Sequence, residues 1–250
     1  MCDLTVVVPA LNEVGNIERV LDDLAASQAL AGRRAPRILV VDDGSTDGTA
    51  SVCTSWGGPL RVQTLCHPVN LGPGAAFRTG FAAALEGADA DALVLTIEAD
   101  STSDLGALPE MFARAADGAD CVLASVHGGG RMLNVPWQRR LLSAGASRAT
   151  RCALGLDAHT VSSFFRVYRG SALQTAFDHY GPALITESGF ACKAEILMKL
   201  ARLGMRIEEV PVDLDAAQRV GASKMPLLRT VAGYGRLMAR DSALLRRTSG

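Results

Sequence analysis

The 250-residue sequence is short of several things, and each shortage closes off a class of protein. Its net charge is -1, with no basic excess to meet the phosphates of a nucleic acid, so no nucleic-acid partner is expected. No uncharged apolar run approaches the roughly 18–20 residues that a membrane span requires. No basic-then-apolar leader opens the chain either, because the strand-like stretch Thr5–Leu11 starts almost at once. A cytoplasmic chain with at most peripheral membrane contact is therefore expected. The six cysteines (Cys2, Cys53, Cys66, Cys121, Cys152 and Cys192) form no CxxC pair and no Cys/His cluster. They read as reduced thiols in or near the core, not as a disulfide frame or a zinc site. The stretch Pro9–Gly15 after the first strand holds no Arg or Lys, which counts against the basic phosphate loop of a nucleotidyltransferase.

What is present is a large apolar fraction, 48%, enough for a full core in one large α/β domain or two small ones. The near-neutral total hides an asymmetry. Residues 1–100 carry 13 acidic and 6 basic side chains, whereas from Arg219 to the end seven basic residues face Asp241 alone. An acidic front and a basic tail suit a site with a metal on one side and phosphates on the other; a solvated basic helix is the plainer reading of the tail.

The apolar runs predict strands at Leu4–Val8, Arg37–Val41, Leu60–Leu65 and Ala92–Ile97. Asn12 is placed to cap a helix carrying Ile17, Val20, Leu21 and Leu24, and a second helix is predicted over about Ala75–Glu86. Strands alternating with helices of about ten to fifteen residues give the βαβ rhythm of a parallel sheet with right-handed crossovers. Ligands of such sheets bind beyond the carboxyl ends of the strands, where Pro9–Glu13, Asp42–Asp47 and Glu98–Asp104 all fall. Further on, strands are predicted at Asp120–Ser125, Phe164–Tyr168 and Arg206–Val212. Helices are predicted over Gln138–Leu154, Cys192–Leu203 and Leu227 to about Arg247.

Two of the strand-end clusters carry chemistry. Asp42 and Asp43 lie in a Gly/Ser/Thr loop, where a carboxylate accepts hydrogen bonds from a nucleobase N–H or ribose hydroxyls; an ordinary Asx turn fits the loop equally well. Glu98-Ala99-Asp100 sets two carboxylates two residues apart at the end of an apolar strand, on one side of an extended chain. Both then reach one hard divalent cation, which shares its shell with diphosphate oxygens and neutralises charge on a leaving nucleotide.

The ordered motifs VVVPALNE (6–13), VVDDGSTDGT (40–49), NLGPGAAFRTG (70–80) and LTIEADSTSD (95–104) resemble those of the family 2 glycosyltransferases with the GT-A fold. NVPWQRRLLSAGAS, SSFFRVYRG, SGFACKAEILMKLARLGMRIEEVPV and RVGASK narrow the resemblance to the dolichol-phosphate (polyprenyl-phosphate) mannose synthase branch, over about residues 4–240. The resemblance implies an α/β, Rossmann-like, mostly parallel sheet flanked by helices, in a single domain spanning 1–250. Its nucleotide-sugar-binding half covers about 1–125, and the acceptor half covers about 126–250 and ends in the basic helix. It implies an inverting hexosyltransferase, using Mg2+ or Mn2+, that passes a sugar from a donor such as GDP-mannose or a UDP-hexose to a polyprenyl or dolichyl phosphate.

Carried over by position, Pro9, Leu11, Asn12, Glu13, Asp42, Asp43, Gly72, Glu98, Ala99 and Asp100 would bind the nucleotide sugar, with Glu98 and Asp100 on the metal. Arg219, Ser223 and Lys224 match the basic loop that closes over the phosphates. Arg139, Ser163, Arg166 and Glu195 match the acceptor side, and Asp100, Arg166 and Glu187 are the catalytic candidates. The chain departs from the branch at Glu98 (usually Asp), Thr102 (usually Gln), Val126 (where Arg is usual), Thr160–Arg166 (usually D-P-T-S-G-F-R) and Lys193 (usually Gln). Most of these changes fall in the acceptor half. A phosphate acceptor is already anionic and needs no base, whereas a hydroxyl acceptor on a small molecule or glycan would need one. Glu187 sits where that base would lie; a plain helix N-terminal carboxylate, favoured by the helix dipole, is the other reading of the same residue. A non-catalytic sugar-nucleotide-binding protein is the remaining alternative.

Overall fold

The computed structural model describes residues 3–135, 137–156, 158–218 and 227–248. The chain opens with β1 (Asp3–Ala10), α1 (Ile17–Ala26), a short α2 (Gln28–Ala31), β2 (Arg34–Asp42), α3 (Thr49–Ser55), β3 (Arg61–Cys66), α4 (Pro73–Leu85) and β4 (Leu93–Thr96). It continues with α5 (Leu108–Ala116), β5 (Cys121–Ser125), β6 (Met132–Leu133), α6 (Trp137–Leu154), β7 (Arg166–Arg169), α7 (Gly170–Tyr180), α8 (Cys192–Arg202), β8 (Ile207–Pro211), β9 (Leu214–Asp215) and α9 (Leu227–Thr248). Among the described residues seven strands form one sheet in the order β3-β2-β1-β4-β7-β5-β8, and β6 pairs with β9 apart from it.

The sheet is parallel except at β7, which runs antiparallel between β4 and β5. The four strands expected to be parallel, β1 to β4, are so, and β7 joins beyond them as a short Arg-Val-Tyr-Arg strand. The strands β1, β4 and β5 are apolar almost throughout because both faces are covered. One face packs α1 and α5 through Ile17, Leu21, Leu24, Met111 and Phe112. The other packs α4, α7 and α8 through Phe77, Phe81, Leu173, Leu197 and Leu200, and Leu237 of α9 joins it. Half of the chain's twelve aromatic residues stand on this second face, linked ring to ring: Phe77, Phe81, Phe164, Tyr168, Phe177 and Phe190. No described helix is long and apolar enough to cross a membrane.

Two local expectations are corrected. Asn16, not Asn12, stands at the start of α1, and its side chain reaches Glu13 Oε2 at 2.7 Å. Asn12 instead turns the backbone with φ 52°, a left-handed conformation that Asn tolerates better than most residues. The strand predicted at Phe164–Tyr168 begins at Arg166, leaving Phe164 and Phe165 in the preceding loop.

Candidate active site

Because β2, β1 and β4 are parallel neighbours, the loops that follow them emerge side by side at one edge of the sheet. The β1 loop is stitched to the β2 loop by short hydrogen bonds. The Asn12 N–H donates to Ser45 Oγ (2.8 Å), and the Thr46 N–H donates to Asn12 Oδ1 (2.8 Å). The Glu13 N–H donates to Thr49 Oγ1 (2.8 Å), and the Val14 N–H donates to Asp47 Oδ2 (3.1 Å). Pro9 lies opposite Val41 at the end of β1, and Leu11 is half-buried just beyond. Asp42 closes its own turn by accepting the Ser45 N–H (3.2 Å).

Asp43 is 4% exposed, and both its oxygens are used by the protein. Oδ1 meets His67 Nδ1 at 2.7 Å and the Leu71 N–H at 3.0 Å, while Oδ2 accepts the Gly72 N–H at 2.7 Å. The Asp43 carboxylate thus pins the β3–α4 loop beneath the crevice, with Oδ2 taking a single hydrogen bond. That loop then meets the second half of the chain backbone to backbone. The Gly74 N–H donates to the Ser188 carbonyl (2.9 Å). A Cβ on Gly72 (φ 90°) would stand 2.4 Å from that carbonyl oxygen, and one on Gly74 would stand 2.0 Å from the Glu187 carbonyl oxygen. Only bare backbone fits there, which is the contribution Gly72 makes.

The acidic pair follows β4. Glu98 Oε1 accepts the Phe164 N–H (2.9 Å) and Oε2 the Ser103 hydroxyl (2.8 Å), so the acid loop is tied to the segment before β7. Asp100, 7% exposed, accepts the Thr102 hydroxyl (2.5 Å) and N–H (3.2 Å) on Oδ1, with Ala99 buried between the two acids. Thr102, which stands where the branch has Gln, therefore orients Asp100. Next to Asp100, Ser101 is held at φ 60° with its hydroxyl buried and without a hydrogen-bond partner. A strained residue with an orphaned hydroxyl is seldom kept without use. Two carboxylates and that hydroxyl are hard oxygen donors, and they fit a divalent cation that draws the rest of its shell from diphosphate and water.

On the other side, two expectations about acceptor contacts are corrected. Arg166 is 1% exposed: its Nη1 donates to Tyr168 Oη (3.2 Å) and the Lys193 carbonyl (2.9 Å), and its Nη2 to the Val161 carbonyl (3.0 Å). Alternation along β7 turns Arg166 and Tyr168 together into the α8 face, away from any solvent-facing acceptor. Glu195, also 1% exposed, holds the Thr186 and Glu187 N–H groups on Oε2 (2.8 Å each). Its Oε1 takes the Thr186 hydroxyl (2.5 Å) and the Lys199 ammonium (2.5 Å). It positions the Glu187 segment and has no oxygen to spare for an acceptor. Ser163 is half-buried and accepts the Phe165 N–H (3.0 Å).

Glu187 is 2% exposed, and α9 clamps it: Arg236 Nη2 reaches Oε2 at 2.8 Å and Arg240 Nη1 reaches Oε1 at 3.1 Å. Sequence reasoning passed over these two arginines. Their i, i+4 spacing, which puts both on one face of a basic helix, was the available signal. Arg219, Ser223 and Lys224 lie outside the described residues, as does the side chain of Arg139.

Comparison with known proteins agrees with this architecture. The family model described as "Glycosyl transferase family 2" matches residues 5–177. A polyprenol monophosphomannose synthase of Mycolicibacterium smegmatis is 28% identical over 229 residues, covering 88% of this chain and 80% of that protein. An undecaprenyl-phosphate mannosyltransferase of Micrococcus luteus is 31% identical over 222 residues, covering 88% and 86%. The glucosyl-3-phosphoglycerate synthase of Mycobacterium tuberculosis, solved with Mn2+, UDP and phosphoglyceric acid, superimposes with a TM-score of 0.62 at 22% identity, over 95% of this chain and 76% of that one.

Proposed function

Because the chain belongs to glycosyl transferase family 2 and has its GT-A fold, we propose that it transfers a hexose, with inversion, from a nucleotide-diphosphate donor to an acceptor phosphate, a polyprenyl phosphate first among them. The observation that carries the choice of acceptor is the clamp on Glu187. A hydroxyl acceptor needs a carboxylate with a free oxygen to take its proton, and both Glu187 oxygens are engaged by Arg236 and Arg240. A phosphate oxygen attacks as the anion it already is. The lipid-phosphate specificity in the names of the two bacterial relatives supports the same reading.

In this reading the nucleotide lies over the stitched loops, against Pro9, Leu11, Asn12, Glu13 and Asp42. Glu98 and Asp100 hold Mg2+ or Mn2+, the ions bound with UDP in the structural relative. When bound, such a cation neutralises charge on the departing diphosphate. The chain's own part is to fix Asp100 through Thr102 and to keep the crevice shut from below through Asp43. Arg219, Ser223 and Lys224 would close over the diphosphate, and Arg139 and Ser163 would meet the acceptor.

Nucleotide release is the test. Purified protein with Mn2+ is offered GDP-mannose or UDP-glucose, with and without farnesyl phosphate. Release that needs the lipid phosphate is expected. Release driven instead by a neutral sugar or polyol acceptor, and abolished in Glu187→Gln, would overturn the phosphate reading and restore Glu187 as base. The structural relative, bound to phosphoglyceric acid, keeps a water-soluble phosphorylated acceptor as the second reading.

A further inference from the structure

Lys193 has no place in the scheme above. It sits in the first turn of α8, a helix buried over Cys192–Leu200, and is itself only 6% exposed. Among the described residues its ammonium makes no hydrogen bond and no ion pair. It lies 3.9 Å from the centroid of the Phe164 ring and 5.2 Å from that of Phe190. Cation–π contact returns about 2 kcal/mol to a desolvated ammonium, well short of the several kcal/mol that burying an unpaired ion costs.

The surroundings show where the charge is directed. Phe164, whose ring carries the ammonium, has its own N–H on Glu98, so Lys193 stands beside the acid loop. Glu98 and Asp100 attract it across this gap, while Arg166 repels it from behind, its guanidinium on the Lys193 carbonyl. The ammonium thus stands against the Phe164 ring, near the acid loop, without a hydrogen bond from any described residue.

We propose that Lys193 is the anion-binding residue of the acceptor site, receiving the phosphate monoester of the acceptor beside the acid loop. This rests on the glycosyltransferase reading for its place in catalysis, but not for the binding itself. A phosphate there accepts a charge-assisted hydrogen bond from the ammonium, and the neighbouring rings keep the pair from water. The specificity is for the phosphate group, whether it is carried by a lipid or by a small polar molecule.

The experiment is isothermal titration calorimetry of the full chain with inorganic phosphate, glycerol 3-phosphate and farnesyl phosphate, each with and without Mn2+. In parallel, Mn2+–GDP and Mn2+–UDP are titrated. Wild type, Lys193→Met and Lys193→Arg are compared, with Lys193→Gln as a second neutral variant should the methionine protein fail to fold. A dissociation constant for at least one phosphate monoester that rises tenfold or more in Lys193→Met, recovers in Lys193→Arg and leaves nucleotide binding unchanged supports the proposal. Glycerol 3-phosphate binding alone marks a water-soluble acceptor, farnesyl phosphate alone a lipid one, and both mark a site that reads the phosphate only.

Three results overturn it: no phosphate binding by the wild type, equal binding by a folded neutral variant, or a neutral variant that tightens Mn2+ while leaving phosphate untouched. The last would make Lys193 a mere counter-ion of Glu98. Failure of the wild type to bind either nucleotide with Mn2+ would sink the donor reading and leave the Lys193 result standing.

Discussion

The two sides of the crevice are held by different physics. The loops after β1 and β2 are joined mostly by neutral, short hydrogen bonds among Asn12, Ser45, Thr46 and Thr49, with the Val14 N–H on the Asp47 carboxylate. The side facing α8 is assembled from buried ions: Arg166, Lys193, Glu195 and Lys199, with Glu187 clamped from α9. Neutral bonds hold a loop in shape at little risk, since losing one costs about 1 kcal/mol. Buried ions hold shape only while every partner is present, and breaking one pair costs several times more. The first side is therefore built to tolerate change, and the second to specify one arrangement.

The largest effect should come from the crevice floor between the two sides. Asp100→Ala is expected to lower nucleotide release by about 10^3-fold or more with little change in melting temperature, measured as initial rates in saturating Mn2+. Full activity in that variant would remove the acidic pair from the mechanism.

The buried-ion side should break next. Glu195→Ala strands the Lys199 ammonium and frees the Thr186 and Glu187 N–H groups, at a cost of about 3–5 kcal/mol in urea unfolding. Thr49→Ala, on the neutral side, should cost about 1–2 kcal/mol. Equal losses would erase the contrast.

The pH dependence of stability sharpens it further. Burial foremost pulls the Lys193 ammonium from its ordinary 10.5 down to about 8, with Arg166 adding to the pull and Glu98, Cys192 and Asp100 opposing it. Between those two values the native state binds fewer protons than the unfolded chain, so stability rises with pH across that window. The Lys193 contribution is up to about 3 kcal/mol and should appear as a pH-dependent difference between wild type and Lys193→Met. A flat difference from pH 7.5 to 10.5 would refute it.

The smallest effect belongs to the clamp. The Arg236 side chain is 53% exposed, and Glu187 keeps Arg240, so Arg236→Ala should cost less than about 1 kcal/mol. Nucleotide release with farnesyl phosphate should hold its rate. A fall of tenfold would give α9 a direct part in turnover.

The donor-side strands and the three acidic or polar loops were legible because each depends on neighbours in sequence: a β-branched run, then turn residues, then a helix. Even the Asx turn at Asp42 was foreseen from its loop alone. The hold of Asp43 on Leu71 and Gly72 was not legible, because those partners lie 28 and 29 residues away. Arg166 and Glu195 were misjudged for a related reason: charged side chains are normally read as surface, and only a completed fold supplies the carbonyls and N–H groups that allow burial. The Glu187 clamp spans 49 and 53 residues, beyond any local pattern. Lys193 was visible as a departure from the branch, but its aromatic neighbour was not, because Phe164 lies far from it in the sequence.

The contact of Gly72 and Gly74 with Glu187 and Ser188 bears on how such enzymes can be recombined. The two halves of the chain share a seam made of main chain, with no side chain available as a spacer. A chimera that joins this N-terminal half to a relative's other half therefore inherits a fitting problem at the seam, not at the junction in the sequence. Glycine at both positions on one side, and a 187–188 backbone that can meet them on the other, are what must be transplanted together.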